Sequence, residues 1–167
     1  MPTILAVECF ADEDVVAFAR DELKLRVKRL HSFSQGEVIK DVFMRNKAGI
    51  GIVDEDPGKS HHRLRDEMQI VKSTEDIELR RRDGRHLIII KPELEECFLR
   101  SMRRVGVDSE LPSNAGDLQA ILNIDSHPKH QVFRQELALL HRAARGKKVG
   151  SFVTDLEDVL RGLLSLT

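Results

Sequence analysis

Gly51-Ile52-Val53-Asp54-Glu55-Asp56-Pro57-Gly58 is the stretch on which the reading of this chain turns. An apolar run through Ile50, Ile52 and Val53 stops on acid, and Pro57-Gly58 supplies a turn directly after it. Side chains at i and i+2 of an extended segment share a face, so the spacing predicts Asp54 and Asp56 side by side at a strand end. Two anions so placed repel each other unless a cation lies between them, and a hard, oxygen-liking ion such as Mg²⁺ answers that need. The metal-free alternative is an acidic turn, in which Asp bonds its own backbone.

The pattern occurs a second time. Thr3-Ile4-Leu5-Ala6-Val7 is an apolar run that ends on Glu8, and helical sequence follows. Two acid-tipped strands separated by helical sequence predict an α/β fold with a mainly parallel, Rossmann-like sheet flanked by helices. In such a sheet the strand C-terminal ends gather on one edge. Strands near 3–8, 49–54 and 86–91 are expected side by side, with Glu8, Asp54 and Asp56 meeting at one site.

Working outward, a strand is read over 3–10 and one amphipathic helix over 11–31, on Val15, Phe18, Ala19, Leu23, Val27 and Leu30. Ser34 and Glu37 form a capping-box pattern for a helix to about Arg45. Gln69 to Lys72 is a short strand. Asp83-Gly84 between runs 76–82 and 86–91 signals a two-residue hairpin, and the all-apolar Leu87-Ile88-Ile89-Ile90 predicts burial on both faces. Pro92 is expected to open a helix to about Val105. Further helices are read from Asn114 or Asp117 to Leu122, from Pro128 to about Gly146, and from Thr154 onward.

At 167 residues, one domain is expected over 1–167, with a core near 3–110 and a helix-rich C-terminal part over 111–167. That part either covers the sheet or extends it as a small subdomain. Charged residues reach 33%, yet the net charge is −1, so overall charge announces neither nucleic acid nor a membrane surface. No apolar run is long enough to span a bilayer, and the N-terminus lacks a basic segment leading into an apolar core. With only Cys9 and Cys97, a reduced pair and a cytoplasmic location are expected.

Val7-Glu8 followed by Asp12, then Asp54-x-Asp56-x-Gly58, resembles the catalytic pattern of Toprim domains. The similarity is greatest to those of OLD-type nucleases and small bacterial defence nucleases. Lys91-Pro92-Glu93-Leu94-Glu95-Glu96-Cys97-Phe98-Leu99 resembles the segment after the central apolar strand in some of them. The resemblance covers roughly residues 3–100. One departure is Cys9, which stands where these proteins usually carry Gly.

The resemblance implies Mg²⁺- or Mn²⁺-dependent chemistry on DNA or RNA phosphodiesters, in some settings with a partner ATPase in antiviral defence. It makes Glu8, Asp12, Asp54 and Asp56 the metal ligands, with Glu8 alternatively a general base or acid. Glu93 or Glu95 is a further ligand, or else compensates a helix dipole. Lys91 becomes a transition-state contact, and Lys59, Arg63 and Arg65 offset substrate charge. The chain has no Tyr, so the tyrosine chemistry of Toprim topoisomerases is closed to it and hydrolysis is the expected reaction.

Arg80, Arg81, Arg82 and Arg85 at the hairpin are either a phosphate-binding cluster or a solvated charged face. His61-His62 and His127-x-x-His130 are either zinc ligands or surface histidines. Two other functions compete. One is a catalytically inert Toprim-like interaction module. The other is a receiver-like domain phosphorylated on Asp54, with Lys91 as the partner lysine.

Overall fold

The central strands of this chain are short and mainly aliphatic, and their alternation divides the protein into two buried layers. In the computed structural model, which describes residues 1–165, six strands form one sheet. They are β1 (Thr3–Val7), β2 (Val27–His31), β3 (Ile50–Asp54), β4 (Gln69–Ser73), β5 (Ile77–Arg82) and β6 (Arg85–Ile90). The spatial order is β2-β1-β3-β6-β5-β4. β2, β1, β3 and β6 run parallel, while β5 and β4 add antiparallel at one edge.

Leu5, Val7, Ile50, Ile52, Ile88 and Ile90 point to one face, and Ala6, Val53, Leu87 and Ile89 to the other. The first face is covered by α1 (Phe10–Asp21), α4 (Leu94–Val105), α5 (Ala115–Leu122), α6 (Lys129–Lys147) and α7 (Phe152–Leu164). The second is covered by α2 (Gln35–Phe43) and the short α3 (Arg63–Asp66), through Val38, Ile39, Val42 and Leu64. Layers of helix on both sides of a mostly parallel sheet are the expected α/β arrangement. Of the C-terminal helices, α7 packs on β5 and α5 and α6 pack on α1 and α4, so that Phe133, Leu137, Phe152 and Leu156 share one buried cluster with Leu5, Ile52 and Ile88. Residues 166 and 167, within the C-terminal part read from sequence, lie outside the described residues.

The single helix expected over 11–31 is instead α1 followed by β2. Lys24 takes a left-handed backbone (φ 57°), and the helix stops before it. Leu23, Leu25 and Val27 then alternate inward with exposed Lys24 and Arg26. Apolar residues at i, i+2 and i+4 satisfy a strand, and i, i+4 also satisfies a helix, so the segment is ambiguous by spacing alone. Two helix starts also move. α4 opens at Leu94 rather than Pro92, and α7 opens at Phe152 because Ser151 and Thr154 form the capping box, one turn before the expected Thr154 start. The hairpin turn matches its sequence: Asp83 (φ 50°) and Gly84 (φ 74°) both take the positive φ that a type I′ turn requires.

This topology contains a switch point. From β1 the chain leaves through α1 to β2 on one side, then returns through α2 to β3 on the other. The two connections lie on opposite faces, so a crevice opens outside the C-terminal ends of β1 and β3, where α/β proteins bind ligands.

Candidate metal centre at the sheet switch point

Glu8 follows the last residue of β1, and Asp54 is the last residue of β3, so both carboxyls stand at the mouth of that crevice. Glu8 Oε1 accepts a hydrogen bond from the Asp54 backbone N–H at 2.7 Å. Asp54 Oδ1 in turn accepts from the N–H of Leu94, the first residue of α4, at 2.9 Å. Glu93 makes no side-chain cap bond there, so the aspartate of β3 caps α4 in its place. Gln35, at the start of α2, donates from Nε2 to the Asp54 carbonyl at 2.7 Å.

Asp12 lies in the first turn of α1 and is fully buried. Neither of its carboxylate oxygens has a hydrogen-bond partner of good geometry, although nearby Cys9 favours the anion. Glu95, in the first turn of α4, is also buried, and its Oε2 is unpartnered. A buried polar atom without a partner is rare in a folded protein, and two such carboxyls at one site demand an explanation.

The electrostatics tie these groups together. Burial raises the pKa of Asp12 well above the usual carboxylate range, and the charges of Glu8 and Glu95 raise it further. Burial does the same to Asp54, with Asp12, Glu8, Glu95 and Asp56 adding repulsion. Glu8 is raised by burial and by Asp56, partly offset by the Asp54 N–H, Lys59 and Arg65. Burial, then Glu93, Glu8 and Asp56, push Glu95 up to about 7. Each carboxyl is thus penalised for carrying its charge, and its neighbours' charges add to that penalty.

Asp56 reaches this cluster by a different route from the one its spacing predicts. β3 ends at Asp54, and Asp56 takes a left-handed backbone (φ 49°) in the following turn. Strand alternation therefore does not orient it. The turn does, held by the Asp56 N–H donating to the Pro92 carbonyl at 3.1 Å.

The positive residues separate. Lys59 pairs with Asp56 at 3.0 Å and stays exposed at the rim. Arg65 is buried, and its Nη1 donates to Gln35 Oε1 (2.9 Å) and the Glu55 carbonyl (3.0 Å). It holds the loop after β3 in place rather than facing solvent for a substrate. Arg63 is exposed and pairs with Glu67 at 3.2 Å. Lys91 turns away from the carboxyls, with Nζ donating to Ser73 Oγ on the edge strand at 3.0 Å. A side chain leaving the end of β6 toward β4 does not serve a centre between β1 and β3.

The remaining candidates carry structural bonds. Arg80 donates to the Arg65 carbonyl (2.6 Å), Arg82 to Glu67 (2.9 Å) and Arg85 to the Ala48 carbonyl (2.8 Å). His62 Nδ1 accepts from the Leu64 N–H, His127 Nδ1 accepts from the Lys129 N–H, and His130 bonds Asp14 and the Ile124 carbonyl.

Among the described residues no three His, Cys, Asp or Glu side chains surround a common point as a ready-made metal site. The hydrogen bonds explain part of this, since Glu8 and Asp54 each aim one oxygen at a backbone N–H. The chemistry of the set still fits a hard cation. All its donors are oxygens, the anions crowd one another, and both Asp12 oxygens and Oε2 of Glu95 are buried without a hydrogen-bond partner. In the sequence Glu95 is indistinguishable from an acid that compensates a helix dipole; its burial is a tertiary fact.

The fold and site define an α/β protein with a carboxylate cluster at the switch point of a mostly parallel sheet. Compared with known proteins, the chain matches no family model, no curated protein and no solved structure.

Proposed function

We propose that this protein is a Toprim-like, metal-dependent phosphodiesterase acting on DNA or RNA in the cytoplasm. The observation that carries the reading is the cluster of Glu8, Asp12, Asp54 and Glu95: the unpartnered buried oxygens of Asp12 and Glu95, and the mutual repulsion of all four, call for a bound cation. Asp12, Asp54 and Glu95, with Asp56 from the turn and Glu8 directly or through water, would hold Mg²⁺ or Mn²⁺. When bound, such an ion neutralises phosphoryl charge and lowers the pKa of an attacking water.

The chain's own residues divide the remaining work. Glu8 is half-buried, and burial moves its pKa upward toward the working range of a general base. Gln35 and Arg65 brace the backbone around Asp54 and Glu55. Lys59 and Arg63, both exposed near the loop after β3, offer charge to a polyanion. A partner ATPase belongs to the same proposal, on the strength of the resemblance alone.

One observation favours a second reading, a catalytically inert module of the same shape: the acids do not converge on a single point. A cleavage series decides between the two. Labelled single-stranded and duplex DNA and RNA are incubated with wild type and Glu8→Gln in Mn²⁺. The glutamine retains shape but removes the proton acceptor, and the expected loss is about 10²-fold or more. Equal rates for the two proteins would leave the inert module as the account.

A further inference from the structure

The loop between β2 and α2 carries a residue that packing does not explain. Phe33 is 78% exposed, and its backbone is left-handed (φ 62°), a conformation that bulky side chains rarely adopt. Its ring lies over the imidazole of His31, with centroids 4.1 Å apart and planes tilted by 31°. His31 is itself fixed from two sides. Phe10 meets it edge-on at 4.9 Å, and Glu13 Oε1 bonds its Nδ1 at 2.8 Å. The other oxygen of Glu13 holds Arg29 at 2.6 Å, and that guanidinium remains largely in solvent.

The position of this aromatic stack gives it meaning. β2 pairs with β1 so that His31 lies opposite Val7, one residue before Glu8. The Ser32 N–H donates to the Val7 carbonyl at 2.8 Å. Two residues beyond Phe33, Gln35 bonds the carbonyl of Asp54. The loop carrying Phe33 therefore borders the crevice that contains the carboxylates, and adjacent strands are only about 4.8 Å apart.

We infer that Phe33, backed by His31, is a stacking platform for an unpaired nucleobase, so that the substrate enters as a single strand or a frayed end. The inference rests on the phosphodiesterase reading of the neighbouring carboxylates. A flat ring supported on one face and open on the other matches a base, which presents a π-face whatever its sequence. Bases within a duplex already stack on each other and offer no such face. Arg29 beside the stack supplies a cation for the phosphate of the same strand. A preference for unpaired strands follows from the stack, and tolerance of any base, in DNA or RNA, follows because the π-face that it takes is common to all bases.

Phe33 is exposed, so its substitution leaves the core intact. The test uses Ca²⁺ in place of a catalytic cation and follows anisotropy of short labelled oligonucleotides: single-stranded DNA, single-stranded RNA, blunt duplex and an abasic strand. Wild type should bind both single strands more tightly than the duplex or the abasic strand. Phe33→Ala should weaken the single strands roughly tenfold and leave the abasic strand unchanged. Phe33→Trp introduces the only tryptophan of the chain, and its emission should fall on binding base-containing strands alone. Equal single-strand binding by wild type and Phe33→Ala, an indole that does not respond, or no oligonucleotide binding by wild type would overturn the platform. Base-dependent quenching without any cleavage in Mn²⁺ would overturn the phosphodiesterase reading and leave the platform standing. Cleavage indifferent to Phe33 would do the reverse.

Discussion

Glu95 shows how one side chain links the site to the stability of the whole chain. Burial and neighbouring acids put its folded-state pKa near 7, against an ordinary value of 4.5. Between those values the folded protein holds a proton that the unfolded chain has released, so stability falls as pH rises through that window and stays low above it. Glu8, Asp12 and Asp54 shift in the same direction. In metal-free buffer the melting temperature should therefore decline between about pH 5 and about pH 8. Glu95→Gln should melt higher than wild type near the upper end, its stability greater by on the order of 3 kcal/mol at most. Mn²⁺ should raise the wild-type melting temperature there and raise that of the variant less. A thermal melt across pH, with and without Mn²⁺, checks all three, and a wild-type profile that rises with pH would remove the crowded-carboxylate account. Glu157 sets the acid limit instead. Burial alone would raise its pKa, but bonds from His141, Arg145 and Arg161 hold it at about 2. Its stabilisation is present above 4.5 and is lost as pH falls toward 2.

Among the elements, the contact of α2 with β3 sets how closely the crevice walls approach. Gly51 makes that contact possible, because a Cβ there would lie 2.7 Å from Val38 Cγ1 and 3.0 Å from Leu87 Cδ1. Gly51→Ala should force α2 outward and cost about 1–3 kcal/mol. Because α2 begins with Gln35, which holds the Asp54 carbonyl, the same variant should also weaken Mn²⁺ binding. Calorimetry of unfolding and Mn²⁺ titration measure the two effects, and an unchanged melting temperature would mean that the helix has room to move. The antiparallel edge is fastened separately. Asp76, at the turn before β5, is buried and receives Arg100 (2.5 Å) and Arg104 (3.1 Å) from α4. That pair of ion bonds ties the hairpin to the helix that Asp54 caps, so both ends of α4's approach to the sheet are fixed by aspartates distant in sequence.

Among the described residues, the buried cluster on one face of the sheet runs from β1, β3 and β6 into α4, α6 and α7. The C-terminal helices are therefore expected to unfold together with the sheet. Urea melts followed by circular dichroism and by an environment-sensitive dye on Cys9 should coincide, and two separated transitions would show that 111–165 is an independent unit. Among the described residues no helix is long and apolar enough to cross a membrane. The sequence by itself determined the central strands, the hairpin and the meeting of Glu8 with Asp54, because period-two apolar runs ending on acid are local signals and parallel strands align their ends. The segment 23–31 was not legible, since Leu23 and Val27 suit a helix as well as a strand, and only pairing with β1 decides between them. Tertiary structure alone decided that Arg65 is interior, that Lys91 turns toward Ser73, that Glu95 is buried, and that Phe33 stands open at the rim. Burial and direction depend on what arrives from elsewhere in the chain, and a linear pattern of residue types carries no information about those distant neighbours.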